Sequence, residues 1–470
     1  MDDARLDLDV LVAGGGPAGA MLAGLLARRG RRVALADDGR RRFSVPAETI
    51  QPGALRMFAR MGIADALVAI TTSGTLRRGS IWESDELRWQ APDEPGLRVL
   101  RGPFDTDLRA WARRMGAVVF ERTHVQGPLP DSPSAEITLA DAAGATRRVR
   151  TREVAIAAGG RSARALVPIE VVDQRPANAV LGLVGESRPQ PMDAEIVEAV
   201  PDGWLWSMPL HDGRLSLGVF ADVRLLTSLG TRVALRRLLA CARGPAAGLT
   251  SDHLRRAGRV LPALRTTTAR CFLVGDAASG IDPLSSQGIE KAIASAEDAA
   301  AALHTVLDEP DQKDALLAHH ARWEAGLWRA HARTTAGYHA RARFGHEPFW
   351  AERSRSLPER EPLRVDADEF LVVRDDLRRT QVLRRSGERF VKEDGVIAPD
   401  DGEPLSRLGT VPIPPLLAAF AEPTSLAEGV DRAGRDPRVF VLPRAAVLDA
   451  ARELLRRGVL SLARVTRDAR

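Results

Sequence analysis

The amino-acid sequence predicts an α/β fold of more than one domain, on three observations. Near the N-terminus, a glycine-rich turn separates two apolar runs in the order strand, turn, helix, strand. Between residues 176 and 222 the pattern changes to short strands with a period of two, which is typical of an antiparallel sheet. Near residue 345 the composition shifts to Pro, Arg and Glu, which indicates a boundary before a further domain.

The N-terminal turn has the pattern of a dinucleotide-binding site. Val10 begins a buried strand that leads into the spacing G-x-G-x-x-G, with Gly14, Gly16 and Gly19 at the glycine positions. The first glycine permits a tight turn, the second lets backbone approach a pyrophosphate, and the third lets the helix pack on the strand. The helix N-terminus offers free N–H groups to phosphates, and Asp37 ends the next strand, where a carboxylate can accept from a ribose hydroxyl. The alternative is an ordinary glycine-rich turn.

A second turn narrows the kind of dinucleotide. A short apolar strand ends in Gly275-Asp276, a loop passes Pro283, and a helix begins near Gly288. Asp276 is placed to accept from a polyol hydroxyl, and the helix start favours a ligand group that carries negative charge. A flavin offers both, through its ribityl chain and its reduced ring. The alternative is a polar strand-to-helix loop without a ligand.

The same patterns predict the domain organisation. Long Ala-rich helices are expected at 288–307 and 311–344, and three short helices with a closing strand between 416 and 465. That last arrangement suggests a small winged-helix-like module for protein contact, because its basic residues alternate with acidic ones. We predict a cofactor domain at 1–175 and 250–345, an inserted antiparallel sheet for the substrate at 176–249, a linker at 346–365 and a C-terminal domain at 366–470.

Composition argues against several classes of protein. The chain has 67 Lys and Arg against 62 Asp and Glu, a net charge of +5, and the basic residues are scattered without a basic tail, so nucleic acid is not an expected partner. No apolar run is long enough to span a membrane, and no signal-peptide pattern is evident. Cys241 and Cys271 are the only cysteines, and the histidines have no metal-ligand spacing. We therefore expect a cytoplasmic protein without a metal ion.

With both turns identified, the chain resembles the flavin-dependent aromatic hydroxylases and their relatives, the flavin-dependent halogenases, over residues 8–345. Gly14-Gly15-Gly16-Pro17-Ala18-Gly19 matches the first FAD motif of that superfamily, and the segment from Gly275-Asp276 through Pro283 to Gly288 matches the second. Arg101 is similar to the arginine that reaches the FAD phosphates. The resemblance implies FAD as the cofactor, a Rossmann-like FAD domain and an antiparallel substrate sheet over the flavin ring.

A third motif departs from the family pattern. The family carries Asp-Gly before a serine, whereas this chain has Ala158-Gly159-Gly160-Arg161-Ser162 and lacks the carboxylate. In the hydroxylases that motif bears on the reaction with reduced nicotinamide. The reductant is therefore left open between NAD(P)H and a separate flavin reductase.

Two features separate hydroxylation from halogenation. Trp204-Leu205-Trp206-Ser207-Met208-Pro209 is similar to the W-x-W-x-I-P signature of the halogenases. Both tryptophans face one side of a strand, so we predict them as substrate residues, with plain sheet packing as the alternative. Halogenases also need a lysine amine, yet the corresponding stretch from 43 to 52 has none, and the first lysine in the chain is Lys291. Arginine has no free amine at neutral pH, so we predict oxygen insertion.

The resemblance implies that reduced FAD and O₂ form a C4a-hydroperoxide whose distal oxygen attacks an electron-rich aromatic ring. We predict Glu48 as a polar group on the substrate side of the flavin, and Ser286 and Gln287 as donors to flavin or peroxide oxygens. The alternatives are a surface or salt-bridged Glu48 and a purely structural loop or N-cap at Ser286 and Gln287.

The tryptophan pair, the missing lysine and the extra C-terminal domain together resemble the FAD monooxygenases that mature peptide-derived quinone cofactors. This resemblance implies a protein or peptide substrate whose tryptophan side chain is hydroxylated. Two alternatives stay open. One is a hydroxylase or halogenase of a small indole or phenol in natural-product synthesis, and the other is a non-catalytic FAD-binding protein that uses its C-terminal domain for assembly.

Overall fold

The computed structural model describes residues 6–40, 47–63, 77–90, 96–130, 136–186, 194–210, 212–355, 357, 365–400 and 402–463. It divides the chain into two compact units, residues 1–357 and 358–470. The predicted linker at 346–365 is too long, because Pro348–Arg353 form a helix that buries Phe349 and Trp350 within the first unit. Burial of two large aromatic side chains outweighs the polar composition that suggested an open linker.

Strands and helices alternate through the first unit. Its described strands are β1 (Leu6–Ala13), β2 (Val33–Asp37), β3 (Ala47–Ile50), β4 (Arg77–Ile81), β5 (Arg88–Gln90), β6 (Leu97–Leu100), β7 (Val118–Glu121), β8 (Thr123–Val125), β9 (Glu136–Asp141), β10 (Thr146–Ile156), β11 (Glu170–Gln174), β12 (Asn178–Gly185), β13 (Ala194–Val200), β14 (Gly203–Pro209), β15 (Leu215–Asp222), β16 (Leu254–Val260), β17 (Ala263–Thr266), β18 (Phe272–Leu273) and β19 (Ser279–Gly280). Its described helices are α1 (Pro17–Arg28), α2 (Pro52–Arg60), α3 (Arg101–Arg114), α4 (Gly159–Ala163), α5 (Val223–Leu229), α6 (Thr231–Ala240), α7 (Gly288–Asp308), α8 (Lys313–Ala340) and α9 (Pro348–Arg353).

The first large sheet is the predicted Rossmann-like sheet. Its order is β7-β2-β1-β10-β9-β8, and β18 pairs with the end of β10. β7, β2, β1, β10 and β18 run parallel, while β9 and β8 extend the sheet in antiparallel fashion. The last six residues of β1 are buried without alternation, as expected for a parallel strand that is covered on both faces.

Helix α1 joins β1 to β2 and is buried from Ala18 to Ala27. Pro17 occupies its first turn, where a missing N–H is tolerated. Gly24 lies directly against the ring of Trp111 on α3 and leaves no room for a Cβ, and the helix also packs on α7. Small residues therefore let two other helices approach α1 closely.

The second large sheet is mostly antiparallel, with the order β16-β12-β15-β14-β13-β4-β5. The short strands predicted between 176 and 222 are confirmed as β12 to β15, but the sheet extends beyond the predicted insert at 176–249. β4 and β5 join it from residues 77–90, with β4 parallel to β13, and β16 joins it at 254–260. Pairing of strands so distant in sequence leaves no local signal. One face packs on Leu235 and Leu238 of α6, and the other face carries an aromatic cluster.

The two long Ala-rich helices are confirmed as α7 and α8. Helix α2 ends at Arg60, and residues 64–76 lie outside the described part of the chain. Among the described residues, no helix is long and apolar enough to cross a membrane.

The second unit has its own core. Its described elements are β20 (Phe370–Val373), β21 (Arg379–Ser386), β22 (Arg389–Ile397), β23 (Pro404–Leu405), β24 (Arg407–Leu408), β25 (Val411–Pro412), α10 (Ile413–Ala419), β26 (Thr424–Ser425), α11 (Leu426–Ala433), α12 (Arg444–Arg456) and β27 (Leu460–Leu462). The three helices and closing strand that suggested a winged-helix-like module are present, and β27 pairs with β20, which precedes the helices in sequence. Leu371, Phe420 and Leu454 are fully buried in this core.

Candidate cofactor and substrate site

A cavity of about 830 Å³ lies in the first unit and brings together residues that are far apart in sequence. It is lined from the Rossmann-like sheet, from α3, from the start of α7 and from the aromatic face of the second sheet. The residues predicted from sequence that line it are Gly14, Gly16, Pro17, Ala18, Asp37, Glu48, Arg101, Trp206, Asp276, Pro283, Ser286 and Gly288.

The glycine turn is shaped to admit a phosphate group. Gly14 has a φ of 110°, and a Cβ there would lie 2.6 Å from Ala158 Cα. A Cβ on Gly19 would strike the carbonyl oxygen of Gly14, so this glycine serves helix packing, as predicted, and does not line the cavity. Gly16, in contrast, faces open space and caps α1 without a side-chain hydrogen bond. The first N–H groups of α1 are therefore available to an anion.

Asp37 lies at the end of β2 and lines the cavity beside this turn. Burial raises the pKa of its carboxyl, against the charge of Arg109, whose guanidinium lies 3.4 Å away. Arg109 also donates a hydrogen bond to Gly15 O at 3.1 Å. The sequence reading did not single out Arg109, although its spacing of eight residues from Arg101 places both on one face of α3.

Arg101 is the first residue of α3 and pairs with two carboxylates. Its Nη1 lies 3.0 Å from Glu48 Oε2, and its Nε lies 3.2 Å from Asp105 Oδ1. Burial raises the pKa of Glu48, although Arg101 acts in the opposite direction. The salt-bridged alternative for Glu48 therefore describes the structure, and the same ion pair holds the Glu48 side chain at the cavity wall.

The Gly275-Asp276 turn presents one carboxylate to the cavity. From Cys271 to Gly280 every residue is buried except Asp276, which is exposed and lines the cavity. Gly275 has a φ of 64°, and a Cβ there would lie 2.6 Å from Ala18 Cβ, so this glycine permits the turn but is not part of the lining. The side chain of Asp276 has no acceptor or donor among the described residues, and it is free to meet a ligand.

The loop between Pro283 and α7 contains one residue in an unusual conformation. Ser286 adopts a φ of 53° and a ψ of 22°, and its Oγ accepts a hydrogen bond from Gln51 Nε2 at 2.9 Å. The sequence reading missed Gln51, because the contact joins two loops that are distant in sequence. Gln287 does not line the cavity; it occupies the N-cap position of α7, so its predicted catalytic role is not supported and the N-cap alternative describes it.

One wall of the cavity is apolar and aromatic. Val180, Phe220 and Val260 line it together with Trp206, whose Nε1 donates to Glu195 Oε2 at 3.3 Å. Glu195 is buried and is held in turn by Thr49 and Arg78 at the edge of the same cluster, two contacts that the sequence reading missed. The indole of Trp206 is thus fixed in orientation.

Trp204 does not reach the cavity, and its prediction as a substrate residue is wrong. The two tryptophans share one face of β14, as their spacing predicted, but Trp204 is 1% exposed and stacks on Phe220 with ring centroids 3.7 Å apart. Phe220 covers it from the cavity side, so Trp204 supports the wall from behind. The packing alternative applies to this residue.

No lysine of the described residues lines the cavity. Lys291 is fully buried beneath the Gly275 turn, and Lys313 pairs with Glu153 elsewhere in the unit.

The third motif contributes Ala158, Gly159 and Ser162 to the lining, and no carboxylate. Residues 43–46 of the stretch compared with the halogenase lysine lie outside the described residues, and they contain no lysine. In the described ranges, no cluster of His, Cys, Asp or Glu is arranged to hold a metal ion.

Comparisons with known proteins agree with this geometry. The FAD binding domain family matches residues 7–216, and the tryptophan halogenase family matches residues 176–395. The chain is 26% identical over 394 residues to a tryptophan 2-halogenase from Chondromyces crocatus. The aligned region covers 72% of this chain and 71% of that protein.

Two solved structures share the fold over nearly the whole chain. One is QhpG, a peptidyl tryptophan dihydroxylase essential for tryptophylquinone cofactor biogenesis, with a TM-score of 0.69, 21% identity, and coverage of 96% of this chain and 99% of that chain. The other is CmlS, a flavin-dependent halogenase, with a TM-score of 0.75, 21% identity, and coverage of 97% and 96%.

The cavity fits FAD at both of its motifs. Gly14 and Gly16 keep the turn below α1 free of side chains, and Asp276 supplies an unpaired carboxylate at the second turn. Together with the matches to the FAD binding domain and to the tryptophan halogenase model, these features indicate an FAD-dependent oxidoreductase.

Proposed function

We propose that this flavoenzyme inserts oxygen into an electron-rich aromatic ring. Bound FAD, once reduced, supplies the activation of O₂ and the transfer of one oxygen atom, while the second oxygen leaves as water. The observation that carries the proposal is the absence of an amine at the cavity among the described residues, since Lys291 is buried elsewhere. Without an amine, the site lacks the group that the family resemblance implies for halogenation.

The cavity residues have distinct tasks in this proposal. The turn at Gly14 and Gly16 and the N-terminus of α1 bind the phosphates of FAD, and Asp276 accepts hydrogen bonds from its ribityl hydroxyls. Asp37 accepts from the ribose, and Ser286 lies on the loop that faces the ring system. Trp206 and Phe220 form the wall against which the substrate ring packs and from which water is excluded.

Glu48 is the proposed acceptor of the proton that leaves the ring carbon during hydroxylation. Arg101 binds its Oε2, which leaves Oε1 for the proton, and burial raises the pKa of this carboxyl above its ordinary value, which favours acceptance of a proton. Removal of the carboxylate in Glu48→Gln should therefore lower the rate of product formation more than the affinity for substrate.

For the substrate, we favour a tryptophan side chain within a peptide over a small free indole or phenol. The supporting observation is the likeness in fold to QhpG over both units of the chain. The same coverage holds for the halogenase CmlS, so the C-terminal unit does not by itself distinguish the two. The missing amine argues against the halogenase, and the likeness to the dihydroxylase then supports a peptide tryptophan as the substrate.

The reaction type can be tested by product analysis. Holoenzyme reduced under nitrogen is mixed with aerated buffer that contains bromide and either a tryptophan-containing peptide or free indole. Since each reduced flavin supplies the electrons for one insertion, we expect a mass increase of one oxygen atom on the peptide and little change on indole. Replacement of a ring hydrogen by bromine would overturn the proposed oxygen insertion, and oxygenation of indole alone would overturn the peptide substrate.

The reductant is proposed to be a separate flavin reductase. The third motif lacks the carboxylate that bears on reduced nicotinamide, and Gly159 leaves open space in its place. We expect NADH or NADPH alone to reduce the bound flavin slowly, and an added reductase to support turnover. Rapid bleaching of the flavin absorbance by NAD(P)H alone would contradict this assignment.

A further inference from the structure

Lys291 lies beneath the turn that presents Asp276, and its ammonium group uses all three of its N–H donors. Nζ donates to Gly275 O at 2.7 Å and to Ser279 O at 2.6 Å, and it lies 3.1 Å from Glu324 Oε2. The side chains of Lys291 and Glu324 are 0% and 2% exposed. One buried cation therefore binds both ends of the loop from Gly275 to Ser279.

Glu324 ties the same loop a second time. Its carboxylate accepts hydrogen bonds from the hydroxyls of Ser279, at 2.5 Å, and of Ser295. Ser295 Oγ in turn accepts from the backbone N–H of Gly275 at 2.7 Å. Both polar backbone groups of Gly275 and both oxygens of Ser279 thus connect to the Lys291–Glu324 pair, directly or through Ser295.

The loop is also restrained at the carbonyl groups of Leu273 and Asp276. His320 Nε2 lies 2.9 Å from the carbonyl oxygen of Leu273, and Arg265 Nη1 donates to the carbonyl oxygen of Asp276 at 3.0 Å. Within this restrained backbone, the side chain of Asp276 alone is exposed. The direction of its carboxylate is consequently set by contacts that lie on the far side of the loop from the cavity.

Burial of an ion pair is a poor route to stability, because desolvation offsets much of the attraction and an apolar pair of similar volume often serves as well. Neither Lys291 nor Glu324 lines the cavity. We propose that Lys291 and Glu324 are positioning residues for FAD, which act through the loop backbone to aim Asp276 at the cofactor. This inference depends on FAD as the cofactor and is independent of whether the enzyme inserts oxygen or halogen.

The chain contains a matched control for this proposal. Lys313 and Glu153 form a second buried Lys–Glu pair in the same unit, with Nζ 2.8 Å from Glu153 Oε2 and side chains 7% and 8% exposed. This pair lies away from the FAD cavity, beside a separate small pocket that includes Cys271. The double variants Lys291→Met with Glu324→Gln and Lys313→Met with Glu153→Gln each remove one buried pair without leaving an orphaned charge.

The readout is the FAD dissociation constant of the apoprotein, measured by quenching of flavin fluorescence, with and without Asp276→Asn. We expect the Lys291 pair variant to bind FAD about tenfold or more weakly, and Asp276→Asn to weaken the parent similarly. In the Lys291 pair background, Asp276→Asn should raise the FAD dissociation constant by less than about threefold more. The reason is that a carboxylate that no longer points at FAD contributes little to its binding. The Lys313 pair variant should keep both the parent affinity and the full effect of Asp276→Asn.

Two results would overturn the proposal. One is unchanged FAD affinity in the Lys291 pair variant, and the other is a full, additive effect of Asp276→Asn in that background. If the pair variant does not fold, as judged by circular dichroism of the apoprotein, Ser295→Ala tests the same loop with a smaller change. It should weaken FAD binding by about threefold, and unchanged affinity in that variant would equally refute the role of the network.

Discussion

Two glycines in the first turn, Gly14 and Gly16, are under different constraints. Gly14 needs its positive φ of 110° and has no room for a Cβ, whereas Gly16 has ordinary dihedrals and faces open space. Gly14 is therefore required by the fold, and Gly16 is required only by a ligand that must approach the backbone.

This difference predicts opposite behaviour of two alanine variants. Gly14→Ala should destabilise the apoprotein by about 2 kcal/mol or more, from the disfavoured φ and the clash with Ala158. Gly16→Ala should leave the unfolding free energy of the apoprotein within about 0.5 kcal/mol of the parent, yet weaken FAD binding about tenfold or more. Urea unfolding and FAD titration of the apoproteins measure both. Equal stability losses in the two variants would contradict the distinction.

Arg122 is a non-glycine residue with a strained backbone. It has a φ of 49° at the end of β7, and Gly39 leaves the space that its Cγ occupies, since a Cβ there would lie 2.9 Å away. We expect Arg122→Gly to stabilise the apoprotein by about 1 kcal/mol relative to Arg122→Ala, because both variants lose the side chain and only glycine relieves the backbone. Urea unfolding of the two variants measures the difference, and an alanine variant as stable as the glycine variant would refute the strain.

Helix α8 contributes a buried histidine whose charge follows from its neighbours. His320 lies between the carboxylate of Asp298, 2.6 Å from Nδ1, and the carbonyl oxygen of Leu273, 2.9 Å from Nε2. Both neighbours can only accept, so both ring nitrogens donate and the ring is an imidazolium. Burial lowers the pKa of His320, but the hydrogen bond and charge of Asp298, together with the charge of Glu324, outweigh burial and raise it above its ordinary value.

This pair predicts a pH-dependent contribution of α8 to stability. The raised pKa stabilises the fold fully below the unfolded-state value of about 6.5, and the contribution declines as the pH rises through the folded-state value. We expect His320→Gln to cost about 3 kcal/mol at the acid end of that window and progressively less above it. Urea unfolding of parent and variant at several pH values measures the difference. His319 also faces Asp298, so His319→Gln is the control. A cost of His320→Gln that is independent of pH would contradict the charged form.

At the scale of elements, the sequence was most informative where the signal is local. Apolar runs and turn residues predicted β12 to β15, α7 and α8, and the G-x-G-x-x-G spacing predicted the turn at Gly14. Pairing of β4 and β16 with the second sheet, the burial of α9 and the contact of Gln51 with Ser286 depend on packing between distant segments. The Lys291–Glu324 pair joins α7 to α8, and no local sequence pattern predicts it.

For the molecule as a whole, every residue that lines the cavity belongs to the first unit. We therefore expect a chain that ends after Leu357 to bind FAD with the affinity of the full-length protein, within about a factor of three. Titration of the apoprotein fragment with FAD tests this, and circular dichroism shows whether the fragment is folded. Loss of FAD binding by a folded fragment would mean that the second unit contributes to the site.

The fold alone does not distinguish oxygen insertion from halogenation, because a dihydroxylase and a halogenase both share it over nearly the full chain. The distinction rests on particular side chains at the cavity, above all on the lysines. Sequence could establish that lysines are rare, but only the structure shows that Lys291 faces away from the cavity.

The most direct test of this account is a single turnover with isotopically labelled O₂. Reduced holoenzyme is mixed with labelled O₂, bromide and a tryptophan-containing peptide, and the product is analysed by mass spectrometry. We expect the new ring substituent to carry the oxygen label and no bromine to be incorporated. A brominated product, or a ring oxygen without the label, would contradict oxygen insertion by this enzyme.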